Sequence, residues 1–305
     1  MVTAFPGKLL AKHTMALVQL IRQTNHKEEL FRCLSLKLVE APPPAHDKLV
    51  FLNEVWSTIT RLDDVHAYLR CAAAFVALLV AHYSTLLGMF QHSTNITLSK
   101  RLLNAFVRGN DSGLRLAVDG PHATIVHTLV TMCTRVHDAL DCLSSPLDVA
   151  DASQAICTFV TSLDMHKSDA DAVLQMYVEC RRLFYKLDAV LACLVRRVLW
   201  LSVLVNCHTR RSFVKGCLAY CHITIPSLVD AIEKLKLMTL CAKIALASQC
   251  LPQMDEFVKA SIVLMAELPS ADSESPAAYE QEAMHAMTDL LSLLVVVPSP
   301  SDPLY

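Results

Sequence analysis

The sequence contains only six glycines among its 305 residues, and aromatic residues make up just 6% of it. Glycine supplies the backbone conformations that tight β-turns require, so a chain with so little of it is poorly suited to an all-β or α/β fold. Leucine, alanine and valine are abundant instead, and hydrophobic residues reach 53%. The composition therefore predicts an all-α protein whose helices are buried on two sides or lie against a partner.

Neither sign of charge dominates, since the formal net charge is only −2. Proteins that bind nucleic acid usually carry a strongly basic surface, so no nucleic-acid partner is expected. The glycine patterns of nucleotide-binding loops and the motifs of zinc proteases and serine hydrolases are also missing. The sequence therefore offers no catalytic and no cofactor-binding residue, and it predicts a protein that is not an enzyme.

Twelve cysteines are present, but none of them form the C-x2-C pairs typical of zinc sites. Many lie within apolar helical segments: Cys33, Cys71, Cys133, Cys157, Cys193 and Cys241. Free cysteine is a common small core residue in reducing compartments. The pattern therefore favours reduced, buried thiols in a cytosolic protein with neither disulfides nor metal ligands.

Cys71–Phe90 is long enough to cross a membrane, because it has twenty residues without a formal charge. His82, Tyr83 and Ser84 lie in its middle and would need polar partners inside a bilayer. A helix buried in a helical array predicts the same pattern. The alternative function class is therefore a helical membrane protein anchored through residues 71–90.

The stretch Ser212–Leu228 shows the helical unit most clearly. Phe213, Cys217, Tyr220 and Cys221 form an apolar stripe of helical period, and the Ile225-Pro226 dipeptide then interrupts the helix. Two further amphipathic runs, Ser227–Ile244 and Pro252–Leu268, follow almost at once. This order predicts a helix, a sharp turn and an antiparallel helix as the repeating unit.

The same reading applied to the whole chain predicts about fourteen helices, paired as hairpins of roughly 40 residues, which is the range of HEAT and armadillo repeats. Residues 1–297 are predicted to be one α-solenoid with a hinge-like loop near 109–121, and residues 298–305 a proline-rich tail. A compact helical bundle fits the periodicity as well. Later helices are expected at His122–Cys142, Leu147–Leu163, Ser168–Leu187, Asp188–Cys207 and Ala277–Val297.

Two constellations of reactive side chains are better explained as core residues. One of them could supply part of a zinc site: the ligands would be Cys217, Cys221 and His222, with His208 nearby. A structural zinc site needs four ligands, and this set does not provide them clearly. His127, Cys133 and His137 with Asp138 can be drawn as a thiol nucleophile and its base, although no cleft is indicated. Core packing is the favoured interpretation of both, and no metal-ligating residue is predicted.

Two surface features point towards binding. The first is a set of three arginine pairs about one helix apart: Arg181-Arg182, Arg196-Arg197 and Arg210-Arg211. They could form a basic ridge for an acidic partner, or they could simply solvate the edges of helices. The nearly neutral net charge favours solvated helix edges. The apolar run Leu290–Val297 near the end of the chain either meets a partner or belongs to a chain shorter than its family.

Several blocks resemble, in the same order, one family: LLGMFQHSTNITLSKRLLNAFVR (Leu86–Arg108), LVTMCTRVHDAL (Leu129–Leu140), MYVECRRLFYKLDAVLACLVRRV (Met176–Val198), CLAYCHITIPSL (Cys217–Leu228), ALASQCLPQMDEFVKASIVLMAELP (Ala245–Pro269) and LLSLLVVVP (Leu290–Pro298). The family is the Vps-thirty-five-like scaffold subunit of Retriever, an endosomal recycling complex related to retromer. These blocks are structural helices, so they identify a family without identifying a reaction.

The resemblance implies a non-enzymatic α-solenoid scaffold in the cytoplasm, peripherally associated with endosomes and returning membrane proteins to the cell surface. Its implied partners are the metallophosphoesterase-fold subunit, held by the C-terminal half, and the arrestin-like subunit, held nearer the N-terminus. A sorting-nexin cargo adaptor and an associated coiled-coil complex are also implied. The chain resembles the middle to C-terminal portion of that scaffold, so the arrestin-like contact is the less expected one, and no individual partner-binding residue is predicted.

Overall fold

The protein is described here by a computed structural model, which covers residues 6–13, 16–17, 20, 96–97, 99–104, 115–119, 123–165, 169–205, 210–266, 268 and 276–297. Within these ranges the chain is mostly helical and forms no extended β-strand, which confirms the predicted all-α fold. The helices with defined bounds are α1 (Gly7–Lys12), α2 (Ala123–Asp138), α3 (Pro146–Ser162), α4 (Ala170–Leu183), α5 (Asp188–Leu204), α6 (Arg211–Thr224), α7 (Ala231–Ala247), α8 (Leu251–Ala266) and α9 (Pro276–Val296).

The chain divides into two compact units, residues 1–162 and 163–305. In the first unit α2 packs against α3, and the side chain of Phe159 is fully buried in its core. Ser145 begins α3 with a reciprocal cap: its hydroxyl accepts from the backbone N–H of Asp148 at 3.1 Å and donates to the Asp148 carboxylate at 2.8 Å. This pairing satisfies a helix-end donor that no intrahelical bond can reach.

The described residues of the second unit form helices α4 to α9. Consecutive helices among them pack as hairpins, and alternate helices run parallel. α5 packs against α6, and α7 packs against α8. Parallel direction follows from bonds between corresponding ends: Arg210 at the start of α6 pairs with Asp171 at the start of α4 at 2.6 Å. At the other ends of the same two helices, Arg181 donates to the carbonyl of Ile223 at 3.3 Å.

The register between α7 and α9 is constant along their length. Lys236 pairs with Glu282 and Lys243 pairs with Asp289, and each pair joins residues 46 apart in the chain. Elsewhere in the unit, bonds that join alternate helices or the turns that precede them link residues 37 to 43 apart. The hairpin period of roughly 40 residues predicted from the sequence is therefore present, and the fold is an α-solenoid of helical hairpins.

The turn between α6 and α7 differs from the sequence prediction at its second boundary. A short 3₁₀ turn occupies Ile225–Ser227, as proline at position 226 requires, but α7 starts at Ala231 and not at Ser227. Asp230 fixes this start, because its carboxylate accepts from the backbone N–H of Ile232 at 2.9 Å and of Glu233 at 3.4 Å. The proline can be recognised in the sequence as a helix stop, whereas the start of the next helix depends on a capping residue four positions after it.

Replacement of Asp230 by alanine is expected to lower the free energy of unfolding by about 1 kcal/mol, because two backbone donors at the start of α7 lose their acceptor. Asp230→Asn is the matched control, since asparagine caps helices about equally well, and it is expected to have little effect. Urea denaturation followed by circular dichroism measures both variants. Equal loss in the two variants would contradict the capping role.

Parts of the sequence interpretation lie outside the described residues. They are the 71–90 segment, the 298–305 tail and most of the 109–121 loop, of which residues 115–119 are described and are not helical. In the part of the chain that the structure describes, no helix is long and apolar enough to cross a membrane. The interpretation of residues 1–297 as one array remains a prediction.

Candidate interaction surfaces

The cysteines of α6 face the core, whereas the neighbouring histidine faces the surface. Cys217 and Cys221 are fully buried, while His222 is exposed and packs edge-on against Phe257 at 5.6 Å between ring centroids. Burial raises the pKa of the Cys217 thiol to about 12, and burial together with a hydrogen bond to Cys241 raises that of Cys221. The two thiols and the imidazole thus point in different directions, which agrees with the prediction that the cysteines are core residues and not zinc ligands. His208 lies outside the described residues.

Thiol labelling is expected to separate the cysteines by burial. Cys142 is exposed, whereas Cys180, Cys217, Cys221 and Cys241 are buried. The reactive species is the thiolate, and a pKa of about 12 leaves Cys217 protonated at pH 8. We expect Cys142 to react with iodoacetamide within minutes at pH 8 and the four buried cysteines to react only after unfolding in urea, as measured by site-resolved mass spectrometry. Rapid native labelling of Cys217 would contradict its placement in the core.

The second constellation, on α2, does not converge on a site. Cys133 and His137 are fully buried, and the His137 Nδ1 lies 3.0 Å from the Asp138 carboxylate. His127 is exposed to solvent. A catalytic thiol needs an accessible thiolate beside its base, and this geometry places the thiol away from the surface. Among the described residues, no cluster of three or more histidine, cysteine, aspartate or glutamate side chains is arranged to hold a metal ion.

The paired arginines mostly link helices to one another. Arg181 and Arg197 donate to backbone carbonyls, those of Ile223 and Leu163. The remaining arginines bind side chains: Arg182 to Glu179, Arg196 to Glu233, Arg210 to Asp171 and Arg211 to Gln249. Five of the six guanidinium groups thus join neighbouring elements of the fold, whereas Arg182 binds within its own helix. Three of the six are paired with carboxylates, which does not favour a continuous basic ridge.

The apolar run at the end of α9 has two faces. Leu290 and Leu293 are buried, and Leu290 packs with Ile232 and Leu235 of α7. Met284, Leu291 and Val295 form a second stripe of helical period on another face and are exposed by 61%, 58% and 86% of their areas. We call these three residues the α9 outer stripe. Exposed apolar side chains at adjacent positions typically mark an interaction surface.

A groove between α6 and α8 was not found from the sequence. It encloses about 470 Å³ and is lined by Lys215, Leu218, Ala219, His222, Ile223, Pro252, Gln253, Glu256 and Phe257. Its α6 wall is the side of the helix opposite the stripe of Cys217 and Cys221. Helical spacing of Lys215, Ala219 and His222 was a signal that this face is exposed, but only the parallel position of α8 makes it one wall of a groove.

These observations define the class of protein. It is a helical-repeat protein, and its described residues form an exposed apolar stripe and a groove but no catalytic or metal-binding cluster. Comparison with known proteins is consistent with this class. The chain matches the model of the VPS35L C-terminal domain over residues 1–86 and 85–305. The Mus musculus and Homo sapiens proteins described as VPS35 endosomal protein-sorting factor-like are each 27% identical to it over 362 residues, covering 97% of this chain and 37% of the relative.

A relative of the same description from Dictyostelium discoideum is 25% identical over 354 residues, covering 97% of this chain and 36% of that protein. The family match extends over the whole chain, so this chain belongs to the VPS35L family and corresponds to its C-terminal domain. The family resemblance inferred from the ordered helical blocks is thereby confirmed. The chain spans a little over a third of the length of these relatives.

Proposed function

We propose that this chain is a non-enzymatic scaffold of a Retriever-like complex that acts in endosome-to-plasma-membrane recycling. The match to the VPS35L C-terminal domain over the full chain supports this proposal most strongly. The relatives are described as endosomal protein-sorting factors, and a solenoid of parallel helical layers suits a protein that acts by holding partners at fixed spacing.

The proposed partner is the metallophosphoesterase-fold subunit, bound by the later hairpins. The α9 outer stripe supports this assignment, because its three exposed apolar side chains lie on the last described helix of the second unit. Burial of such side chains contributes roughly 25 cal/mol for each Å² removed from water. The sorting-nexin adaptor, the coiled-coil complex and the arrestin-like subunit are further proposed partners, the last on weaker grounds because the chain corresponds to the C-terminal domain.

Co-purification tests the proposal. The tagged chain is expressed with the metallophosphoesterase-fold subunit of the same organism, and size-exclusion chromatography with light scattering measures the stoichiometry. A stable one-to-one complex is the expected result. If the chain is folded by circular dichroism but elutes alone at micromolar concentrations of both proteins, the assignment to a Retriever-like complex is wrong.

Peripheral association with endosomes is part of the proposal and has its own test. The protein is expected to be released from a membrane fraction by alkaline carbonate, as a scaffold held through other proteins is. Retention in the pellet after extraction would favour the anchor through residues 71–90 instead.

A further inference from the structure

The connection between α2 and α3 exposes two leucines. Leu143 is exposed by 88% of its area and Leu147 by 70%, and no other leucine of the described residues is exposed by more than 58%. A single exposed apolar side chain is normal on a protein surface. Two within one short turn form an apolar projection, which is typical of a contact with another molecule. We call residues 139–147 the α2–α3 turn.

The α2–α3 turn is held in one conformation by its own polar groups. The Asp141 carboxylate accepts from the backbone N–H of Leu143 at 3.0 Å and from the Ser144 hydroxyl at 3.1 Å. The same hydroxyl oxygen accepts from the backbone N–H of Asp141 at 3.0 Å, and the cap at Ser145 fixes the start of α3. Because the backbone on both sides of Leu143 is already ordered, a partner that binds the turn loses little free energy in ordering it.

The surroundings of the two leucines are acidic. Residues 123–162, which comprise α2, the turn and α3, contain four aspartates and one cation, Arg135. All four carboxylates belong to exposed residues: Asp138, Asp141, Asp148 and Asp151. Lys100 contributes one further cation, with its Nζ 3.7 Å from the Asp148 carboxylate. Carboxylates therefore outnumber cations by four to two around the turn, in a chain whose overall charge is nearly balanced.

This combination of charge and shape selects the kind of partner. Membrane surfaces with anionic lipids and nucleic acids both repel an acidic turn, so the partner is a protein. The leucines are four positions apart, and four residues of extended chain span at most about 14 Å. One pocket or short groove on the partner is therefore wide enough to take both side chains.

We propose that the α2–α3 turn inserts Leu143 and Leu147 into an apolar pocket of a partner protein, and that lysine or arginine side chains rim this pocket. Apolar anchors at the centre supply most of the affinity of such a contact, while complementary charge at the rim supplies specificity and rapid association. The turn belongs to the first unit, whereas the α9 outer stripe belongs to the second. The proposal goes beyond the proposed function and does not depend on it.

Photocrosslinking in cells of the same organism tests the proposal with the full chain. Cys142, which is exposed, is replaced by photoreactive benzoylphenylalanine, and the crosslinked segment is identified by mass spectrometry. We expect one protein, crosslinked through an apolar segment that contains lysine or arginine. The same photoreactive residue in place of Gln154, at an exposed position of α3, is the control for chance proximity and is expected not to capture that protein.

The captured protein is then purified, and its binding to the full chain is measured by fluorescence anisotropy. The double variant Leu143→Ser and Leu147→Ser is expected to bind about tenfold more weakly or worse, because both anchors are lost. Asp151→Lys is expected to weaken binding about fivefold, because an attraction to the basic rim becomes a repulsion. Val229→Ser with Val263→Ser removes two exposed apolar side chains of the second unit, and this matched control is expected to bind as the wild type does.

Three results would overturn the proposal, provided that circular dichroism shows each variant to be folded. The first is a yield of crosslinks at position 142 that does not exceed the yield at position 154. The second is equal binding of the captured protein to the wild type and to the double leucine variant. The third is unchanged or tighter binding of Asp151→Lys, which would mean that no basic rim faces the turn. Co-purification with the metallophosphoesterase-fold subunit is measured separately, so failure of this proposal is distinguishable from failure of the proposed function.

Discussion

Replacement of Leu290 by alanine is expected to lower the free energy of unfolding by about 2–5 kcal/mol, whereas the same replacement at Leu291 is expected to change it by less than about 0.5 kcal/mol. The two leucines are neighbours in the chain but lie on different faces of α9. Leu290 is fully buried in a cluster with Ile232, Leu235 and Ala286, and Leu291 is 58% exposed. A cavity forms only where surrounding atoms had packed against the lost side chain.

Hydrogen exchange is the measurement suited to this comparison. Because repeats in a solenoid contact mainly their neighbours, α9 is expected to open locally and not with the whole chain. Leu290→Ala is expected to accelerate exchange of α9 amides and of the α7 amides it covers. Comparable acceleration by Leu291→Ala would mean that α9 packs through a different face.

The pairs between Lys236 and Glu282 and between Lys243 and Asp289 do not substitute for this packing. Their side chains are one-third to two-thirds exposed, and such surface ion pairs contribute only about 0.2–1 kcal/mol each. These pairs are consistent with the register of α7 and α9, and the burial of Leu290 and Leu293 is expected to contribute more to the packing of α9.

The second large effect is expected on partner binding. The double replacement Leu291→Asp and Val295→Asp in the α9 outer stripe is expected to weaken the complex with the metallophosphoesterase-fold subunit at least about tenfold, because buried carboxylates would lose hydration without gaining partners. Both side chains are largely exposed, so the fold is expected to remain. Titration by isothermal calorimetry measures the change.

Ser292→Asp is the control for an aspartate introduced on α9, because it adds one of the two charges of the double variant at an exposed position outside the stripe. It is expected to bind nearly as the wild type does. Reduced binding in Ser292→Asp with no change in the double variant would move the interface to another face of the helix. Unchanged binding in both would remove α9 from the interface altogether.

The sequence carried most of the information about the helices because their core stripes are regular. The predicted helix from Leu147 to Leu163 is observed at Pro146–Ser162, and the one from Ala277 to Val297 at Pro276–Val296. Boundaries that depend on capping were less accurate, as at Asp230, where a single carboxylate determines the first turn of α7. Capping acts through one or two hydrogen bonds and leaves little trace in hydrophobic periodicity.

The interaction surfaces were harder to predict from the sequence than the helices. The sequence showed that the run Leu290–Val297 is unusually apolar. It did not show that Leu290 is buried and Leu291 exposed. The arginine pairs could be counted, but their partners lie 34 to 42 residues away for five of the six, in other elements of the fold. The groove beside Lys215 has walls from two helices that are separated in sequence by all of α7.

The sequence by itself determined the all-α fold and the length of the hairpins, because these depend on local helix propensity and on apolar stripes that each helix carries within its own residues. It also determined the family, because several helical blocks resemble those of the family in the same order. The tertiary structure decided which face of each helix is covered and which is left exposed. That depends on the register between α7 and α9 and on the parallel positions of α6 and α8. Both are set by contacts between residues some 40 positions apart, and no local pattern encodes such distances.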